Sequence, residues 1–323
     1  MLPSKLEAVA IKTETTQNTA ATIAATDFFY AADLAYKVLA EYIPKEYKRL
    51  SLDQLAHVLG QVYVEVSFKM PMKGSGTRGT ALAPFDAAMS ASKFTGTASA
   101  GTSVTYAPTS VPASANFFSP GKSATIEVYE GGTLTATGLK KIIKGCVASA
   151  GPKIILEKNK IPMFEFTFRG LYTAPTDAVV PTVTVNATTE PRLESIQFST
   201  HSFSAIISKL EIDLGIQSAI RDDLNSADSV KGMTITGWDP KGSFDPEVEL
   251  VGTHNFYSIF KAGTEAQISA VVGTTSGNIH TITMPKCQYL APEMGDRNGI
   301  RIFNMPFKIN QSSGDDCFTY VQT

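Results

Sequence analysis

The sequence predicts a mainly β protein, built as antiparallel β-sandwich or β-barrel domains, two in tandem, each with one short helix. Three observations support this class. Threonine occurs 35 times in 323 residues, and its β-branched side chain favours strands. Several segments alternate apolar and polar residues with period 2, which is typical of antiparallel strands with one face on a core. Helical patterns are few and short.

The predicted strands are bounded by turn residues such as Gly131-Gly132, Asp239-Pro240 and Asn298-Gly299. The clearest alternation occurs in four segments, at Val62–Met70, Phe164–Arg169, Leu210–Leu214 and Phe303–Asn310. Seven shorter candidates are Ser103–Ala107, Thr125–Glu130, Leu134–Thr137, Met233–Thr236, Val248–Val251, Gln267–Val272 and Asn278–Met284.

Three short helices are predicted. Ser51 and Gln54 form a capping-box pattern, and leucines at helical spacing follow up to Gly60. The second helix is expected over Pro84–Phe94 and the third over Asn255–Lys261, each with an apolar side.

A proline-rich, charge-poor stretch divides the chain into two parts. The first domain is predicted over residues 1–180, with an extended N-terminal arm and a Gly-rich loop. A linker is predicted over residues 181–195 and a second domain over 196–323. The order strand, helix, hairpin and aromatic closing strand occurs in both parts, which indicates a weak internal repeat.

The Gly-rich loop is Lys73, Gly74, Ser75, Gly76, Thr77, Arg78 and Gly79. It matches G-x-G-x-x-G, the pattern of dinucleotide-binding proteins. A dinucleotide-binding unit would continue into a buried parallel strand that ends in an acidic residue. The residues from Thr95 to Tyr106 contain no Asp or Glu. A loop that contacts a neighbouring subunit is therefore the preferred interpretation, since glycines allow the backbone to extend and rearrange.

Composition and motifs exclude several classes of protein. With 28 Lys and Arg against 30 Asp and Glu, the chain has no basic excess that would indicate a nucleic-acid binder. The N-terminus lacks the apolar core of a signal peptide, and a soluble cytosolic product without a membrane partner is expected.

The three cysteines form no disulfide or metal spacing. The sequence predicts no catalytic residue, no cofactor and no metal, because histidine pairs and a G-x-S-x-G motif are missing. The Asp223–Asp228 segment lacks the glycine and glutamate of a calcium loop.

Several segments, taken in order, resemble the major tail tube proteins of long-tailed bacteriophages with non-contractile, siphovirus-type tails. The likeness extends over nearly the whole chain and rests on the shared order of short motifs. These are Ala10–Thr15, the G-S-G-x-x-G-T loop at Gly74–Thr80, the helix at Asp86–Ser92, Thr102–Ser110, the F-x-F-x-G-x-Y-x-x-P strand ending at Pro175, Asp296–Ile300 and Met305–Phe307.

The resemblance implies a structural virion protein that assembles into stacked rings around a hollow channel for DNA ejection. Polar strand positions at Glu65, Lys69, Glu165 and Arg169 are then candidates for the channel surface, and the Gly-rich loop for contacts between subunits. If the repeat is real, three chains give a ring with pseudo-sixfold symmetry; otherwise six chains are needed. The implied partners are other copies of the chain, the tape-measure protein, the tail terminator and distal tail proteins, and passing genomic DNA. The implied location is the virion tail, with assembly in the host cytoplasm.

Two alternatives remain. One is a tail terminator or distal tail protein with the same fold. The other is a tail-tip β-sandwich protein that binds carbohydrate or degrades cell wall. An enzyme would need converging carboxylates, histidines or a metal, and sugar sites commonly use tryptophan, of which Trp238 is the single example.

Overall fold

Strands account for 51% of the chain and helices for 7%, which confirms the mainly β class. The computed structural model describes residues 5–110, 123–194 and 196–323. Its two α-helices are α1 (Ala83–Ala91) and α2 (Phe256–Ala262). The first ten strands are β1 (Glu7–Thr13), β2 (Phe28–Phe29), β3 (Ala32–Ile43), β4 (Val58–Pro71), β5 (Phe94–Ser99), β6 (Ser103–Pro108), β7 (Ala124–Glu130), β8 (Thr137–Glu157), β9 (Met163–Leu171) and β10 (Thr176–Val179). The others are β11 (Gln197–Thr200), β12 (Lys209–Asp213), β13 (Ile216–Asp222), β14 (Val230–Trp238), β15 (Lys241–Phe244), β16 (Glu265–Val272), β17 (His280–Tyr289), β18 (Glu293–Arg297), β19 (Ile300–Asn310) and β20 (Thr319–Gln322).

One antiparallel sheet runs through both parts of the chain. Its strands follow the spatial order β3, β4, β9, β8, β12, β15, β19 and β17. The two parts meet where β8 pairs with β12, with Ile154 opposite Ile212. The sheet therefore continues from residues 5–180 into residues 196–323 without a break.

The C-terminal strand makes a second connection between the two parts. Strand β20 lies between β17 and β6, so that Tyr320 is opposite Tyr106. The Tyr320 ring is buried against Phe85 and Phe164, with centroids 5.5 and 5.1 Å away. Buried side chains of both parts consequently form one continuous hydrophobic cluster.

Both parts place the strand that precedes the helix beside an aromatic closing strand. In the first part β4 pairs with β9, and Phe68 is opposite Phe166. In the second part β15 pairs with β19, and Phe244 is opposite Met305. The segment between the parts, residues 181–194, contains no strand or helix. It is fastened by backbone contacts such as the bond from Thr184 N to Ala25 O, 2.9 Å long.

The helix predicted from Ser51 to Gly60 is wrong. Residues 44–57 form the irregular tip of the β3–β4 hairpin, and β4 has begun by Val58. The Ser51 hydroxyl donates to Asp53 within an exposed turn. Leu52 is fully exposed, so the predicted apolar stripe has no surface to pack on. A short helix without such packing is marginal in water.

Most of the predicted strands and the other two helices are confirmed, with shifts at their ends. The strands predicted at Leu134–Thr137 and Val248–Val251 are wrong. Residues 134–136 lie in the turn before β8, and residues 248–251 lead into the turn before α2. Helix α2 begins after Asn255, whose side-chain oxygen accepts a hydrogen bond from Ser258 N at 2.9 Å.

Candidate functional site

The four residues predicted to face a channel lie together on the polar side of β4 and β9. Glu65 is directly opposite Arg169, and Lys69 is directly opposite Glu165. The Arg169 Nη2 atom lies 3.0 Å from Glu65 Oε2, and Lys69 Nζ lies 2.7 Å from Asp33 Oδ2 and 3.9 Å from Glu165 Oε1. These side chains alternate with buried apolar residues, so their side of the sheet is the one that meets water.

The same polar side continues across the junction between the two parts. Strand β8 places Lys153 opposite Glu165 on one side and Asp213 of β12 on the other. Lys153 also forms an ion pair with Glu211. The second carboxylate oxygen of Glu211, Oε2, lies 2.8 Å from Lys209 Nζ. Partial burial of Glu211 opposes its ionisation, but the hydrogen bonds from both lysines outweigh this effect and lower its pKa.

Beyond β12, the polar side extends over β15 and β19. Asp213 is opposite Lys241, and Lys241 is opposite Lys308. Lys308 Nζ lies 2.6 Å from Asp239 Oδ1. We call the polar side of β4, β9, β8, β12, β15 and β19 the ion-paired face.

Most cations of the ion-paired face already have an anionic partner. Lys69, Lys153, Lys209, Lys308 and Arg169 each lie within 4 Å of a carboxylate. Half-exposed pairs of this kind contribute little to stability, typically about 0–1 kcal/mol each. Their main consequence is electrostatic, because a cation that is paired in this way has less capacity to bind a phosphate.

The part of the ion-paired face formed where β8 pairs with β12 was missed in the sequence analysis. Glu211 and Asp213 alternate with Leu210, Ile212 and Leu214, which indicated a half-polar strand. No local pattern, however, indicated that this strand pairs with β8, more than fifty residues earlier.

The Gly-rich loop is fastened to the second part of the chain at its beginning and exposed at its apex. Gly74 N donates to Asn278 Oδ1 at 2.7 Å, and Gly76 N donates to Gly277 O at 3.2 Å. Gly76, Thr77 and Arg78 are exposed. The apex is therefore free of the core and accessible to another molecule.

Lys73 holds this loop against the segment that joins the two parts. Its buried ammonium lies 3.6 Å from Glu190 Oε1, donates to Asn186 O at 3.1 Å and lies 5.7 Å from the centre of the Tyr30 ring. The Gly-rich loop and residues 186–190 are thereby packed as one unit.

We expect Gly74→Ala to destabilise the fold strongly, by about 2–4 kcal/mol. A Cβ atom at this position would lie 2.0 Å from Gly277 O, a backbone atom that cannot rotate away. The measurement is the free energy of unfolding in urea. Gly252→Ala is the matched control, since a Cβ there meets nothing within 4 Å; equal losses for the two variants would contradict the prediction.

A buried polar chain lies directly beneath the Gly-rich loop. Asn278 Oδ1, which binds Gly74 N, also lies 3.1 Å from His280 Nε2. His280 Nδ1 lies 2.7 Å from the Tyr320 hydroxyl. This pattern fits a neutral imidazole that donates from Nε2 and accepts at Nδ1. Burial favours the neutral ring and lowers the pKa of His280 to about 4.

Stability should fall in mild acid because of His280. Below its ordinary pKa of about 6.5, the unfolded chain binds a proton that the folded chain does not. His280 should therefore contribute a fall in the free energy of unfolding of about 1.4 kcal/mol per pH unit from pH 6.5 to about pH 4, about 3 kcal/mol in all. Burial also lowers the pKa values of His201 and His254, which add to this slope. Urea denaturation against pH measures this slope. His280→Gln should flatten it, while the exposed His57→Gln should not; an unchanged slope in His280→Gln would contradict the assignment.

The β3–β4 hairpin projects beyond the rest of the sheet. Strand β9 covers β4 only from Tyr63 to Pro71, so residues 40–62, called the distal hairpin, extend past it. At its base Gln61 Nε2 donates to Asp222 Oδ1 at 2.6 Å. Its exposed apolar side chains include Tyr42, Tyr47, Leu50, Leu52 and Leu59, of which Leu50 and Leu52 are fully exposed. Exposed apolar surfaces of this kind are typical of interaction sites.

The described residues show none of the other sites that the sequence analysis considered. Among them, no group of three His, Cys, Asp or Glu side chains is placed to hold a metal ion. Strand β4, which precedes the Gly-rich loop, is antiparallel to both neighbours and so belongs to no dinucleotide-binding unit. Asp223 forms a polar turn, accepting hydrogen bonds from Asn225 N and Ser226 Oγ. No helix in the described ranges is long and apolar enough to cross a bilayer.

A family model described as phage tail tube protein matches residues 5–315. A comparison with curated proteins found no match. The matched range includes both parts of the sheet, the Gly-rich loop, the distal hairpin and all of the ion-paired face. The chain belongs to the phage tail tube protein family and is a structural component of a phage tail.

Proposed function

We propose that this chain is the tail tube subunit of a siphovirus-type phage, and that it assembles into stacked rings which form the conduit for DNA ejection. The observation that carries the proposal is the ion-paired face. It is a broad polar surface contributed by both parts of the chain, backed everywhere by a buried core. We place it on the channel side, with Glu65, Lys69, Glu165 and Arg169 at the end formed by β4 and β9.

The charge pattern of this face suits a conduit. DNA binds proteins mainly through contacts between phosphates and Lys or Arg, and each such contact adds affinity that depends on salt. A wall of free cations would retain the passing DNA. On the ion-paired face, Lys69, Lys153, Lys209, Lys308 and Arg169 each lie within 4 Å of a carboxylate, which lowers this affinity.

We propose a ring of three chains with pseudo-sixfold symmetry. Residues 1–180 and 196–323 act as two similar units joined by residues 181–195, and the pairing of the closing strand with the strand before the helix in both units supports this. The contacts between chains are head-to-tail, so that a closed ring is needed to satisfy them all. The apex of the Gly-rich loop contributes to these contacts.

The other proposed partners follow from the position of the subunit in a tail. The inner surface contacts the tape-measure protein during assembly, and the ends of the tube contact the tail terminator and distal tail proteins. Assembly takes place in the host cytoplasm, and the mature location is the virion tail.

Electron microscopy and native mass measurement of the purified chain test the proposal. We expect hollow tubes, and a smallest ring with three times the 34.6 kDa mass of the chain. A ring of six chains would overturn the pseudo-sixfold arrangement. Single rings that never stack would instead favour a terminator or distal tail protein, and dispersed monomers would overturn the proposed function.

A further inference from the structure

We infer that the distal hairpin of one chain inserts its exposed leucines into a specific apolar pocket of a second copy. This inference rests on the proposed function and adds to it the two surfaces that join successive copies. The pocket lies between the start of α1, the end of β4 and residues 28–30. It is lined mainly by Phe28, Phe29, Met70, Leu82, Pro84 and Phe85.

The pocket has the size and the chemistry to receive leucine side chains. Its volume is about 350 Å³, whereas an apolar cavity of about 150 Å³ already binds benzene. Phe28, Phe85 and Met70 in its wall are buried, while Tyr30 at its rim is 68% exposed. The pocket is therefore preformed and is open to solvent at an aromatic edge.

The distal hairpin supplies apolar side chains that the described part of its own chain leaves largely exposed. Leu50 and Leu52 are fully exposed, and Tyr47 is 70% exposed. Water contact at these side chains is unfavourable, and burying one leucine is worth at least a factor of ten in an association constant. A docking partner would remove this cost.

The positions of the two surfaces identify that partner as a second copy. The distal hairpin continues from the Val58 end of β4, and the pocket lies at the Met70–Pro71 end of the same strand. About 40 Å separates the two ends at 3.3 Å per residue, so the hairpin cannot reach the pocket of its own chain. Insertion into the next copy leaves that copy's hairpin free at the far end, and the contact can repeat along a stack.

The Gly-rich loop borders the receiving pocket. Lys73 and Ser75 belong to its lining, and the hydrogen bonds of Gly74 and Gly76 to residues 277–278 fix the loop in this position. The loop thus takes part in contacts between subunits as one side of the receptor for the hairpin.

Complementary variants test the docking directly. The double variant Leu50→Ser/Leu52→Ser removes the inserting side chains and keeps the pocket. Ala83→Trp fills the pocket from an exposed lining position and keeps the hairpin. We expect the rings of each variant alone to stack at least about 100-fold more weakly than rings of the unmodified chain, as two leucines are withdrawn from each contact. When rings of the two variants are mixed, they should stack in pairs and no further, since one intact set of hairpins meets one intact set of pockets.

Leu250→Ser is the matched control, because Leu250 is 80% exposed but lies outside the distal hairpin; it should assemble normally. Cross-linking gives a second measurement. On a Cys317→Ser background, Leu52→Cys with Ala83→Cys should give a ladder of covalent multimers, and Leu250→Cys with Ala83→Cys should not. The two remaining cysteines, Cys146 and Cys287, are buried.

The outcomes separate this inference from the proposed function. If the unmodified chain forms tubes but the Leu52–Ala83 pair gives no ladder, or if the two variants assemble normally, the docking is wrong and the proposed function stands. If the unmodified chain does not assemble, the proposed function is wrong and the docking is wrong with it. Binding of the distal hairpin to lipid vesicles or to a different protein in place of a second copy would also overturn the docking.

Discussion

Glu14→Ala should lower the free energy of unfolding by about 3–5 kcal/mol. The Glu14 carboxylate is 1% exposed and accepts four hydrogen bonds of 2.7 to 2.9 Å, from Asn18 N, Ser123 Oγ, Thr125 Oγ1 and Gly145 N. Hydrogen bonds to a charged group contribute about 1.5–3 kcal/mol each, and a buried donor left without a partner costs about 1–3 kcal/mol. Removing the carboxylate leaves two backbone donors, Asn18 N and Gly145 N, without an acceptor. A backbone N–H cannot turn to another partner as a hydroxyl can.

Urea denaturation of the variant measures this loss. The free energy of unfolding of Glu14→Gln should lie between those of the unmodified chain and Glu14→Ala. Its amide oxygen still accepts from some of the donors, while its NH2 group faces the others. Glu7→Ala is the control; Glu7 lies at the start of β1, the strand that ends just before Glu14, and is exposed, so its loss should change stability by less than about 0.5 kcal/mol. A loss below 1 kcal/mol for Glu14→Ala would contradict the role assigned to this carboxylate.

The two strands at the β4 end of the ion-paired face, β4 and β9, were predictable from sequence. In β4 the buried side carries Val64, Val66 and Phe68, and in β9 it carries Phe164, Phe166 and Phe168. The polar side of each strand could therefore be assigned before any pairing was known. Period-2 alternation appears wherever one side of a strand packs on a core and the other meets water.

Sequence reasoning failed where alternation was absent or where strands distant in sequence meet. Strand β3 shows no clean alternation, because much of it is exposed on both sides, and the distal hairpin was therefore not anticipated. The junction of β8 and β12 depends on pairing between residues such as Ile154 and Ile212, which no local pattern specifies. Gly74 was recognised as part of a loop, but its contact with Gly277 and Asn278 is also a long-range property.

These distant contacts bear on how the two parts of the chain behave. Each part has its own helix and closing strand, yet the sheet passes from β8 to β12 and strand β20 returns to β6. Contacts of this kind make it unfavourable for one part to unfold alone. Its unfolding would expose to water a strand edge and buried aromatic side chains of the part that stays folded. We therefore expect a single cooperative unfolding transition for the monomer.

Tyr320→Ala should cost about 3–5 kcal/mol and should destabilise both parts together. The ring is fully buried, it fills the space beside Phe85 and Phe164 of the first part, and its hydroxyl binds His280 Nδ1 of the second part. Truncation of a buried aromatic side chain removes its transfer free energy and leaves a cavity. Tyr320→Phe keeps the ring and should cost about 1–3 kcal/mol, because it removes the hydroxyl that binds His280 Nδ1 and accepts from Gln322 Nε2 and leaves these buried groups without that partner.

Thermal and urea unfolding, followed at two wavelengths, measure this loss of stability. Tyr47→Ala is the control, because the Tyr47 side chain is 70% exposed. Its free energy of unfolding should change by less than about 0.5 kcal/mol. A double-mutant cycle of Tyr320→Ala with Phe85→Ala isolates the contact between the parts, and we expect a coupling of about 1 kcal/mol or more. If the coupling energy between Tyr320→Ala and Phe85→Ala is instead close to zero, then strand β20 does not bind the two parts into one cooperative unit. A wall segment of the kind proposed here needs that cooperativity, because a channel surface shared by both parts keeps its shape only while neither part can open alone.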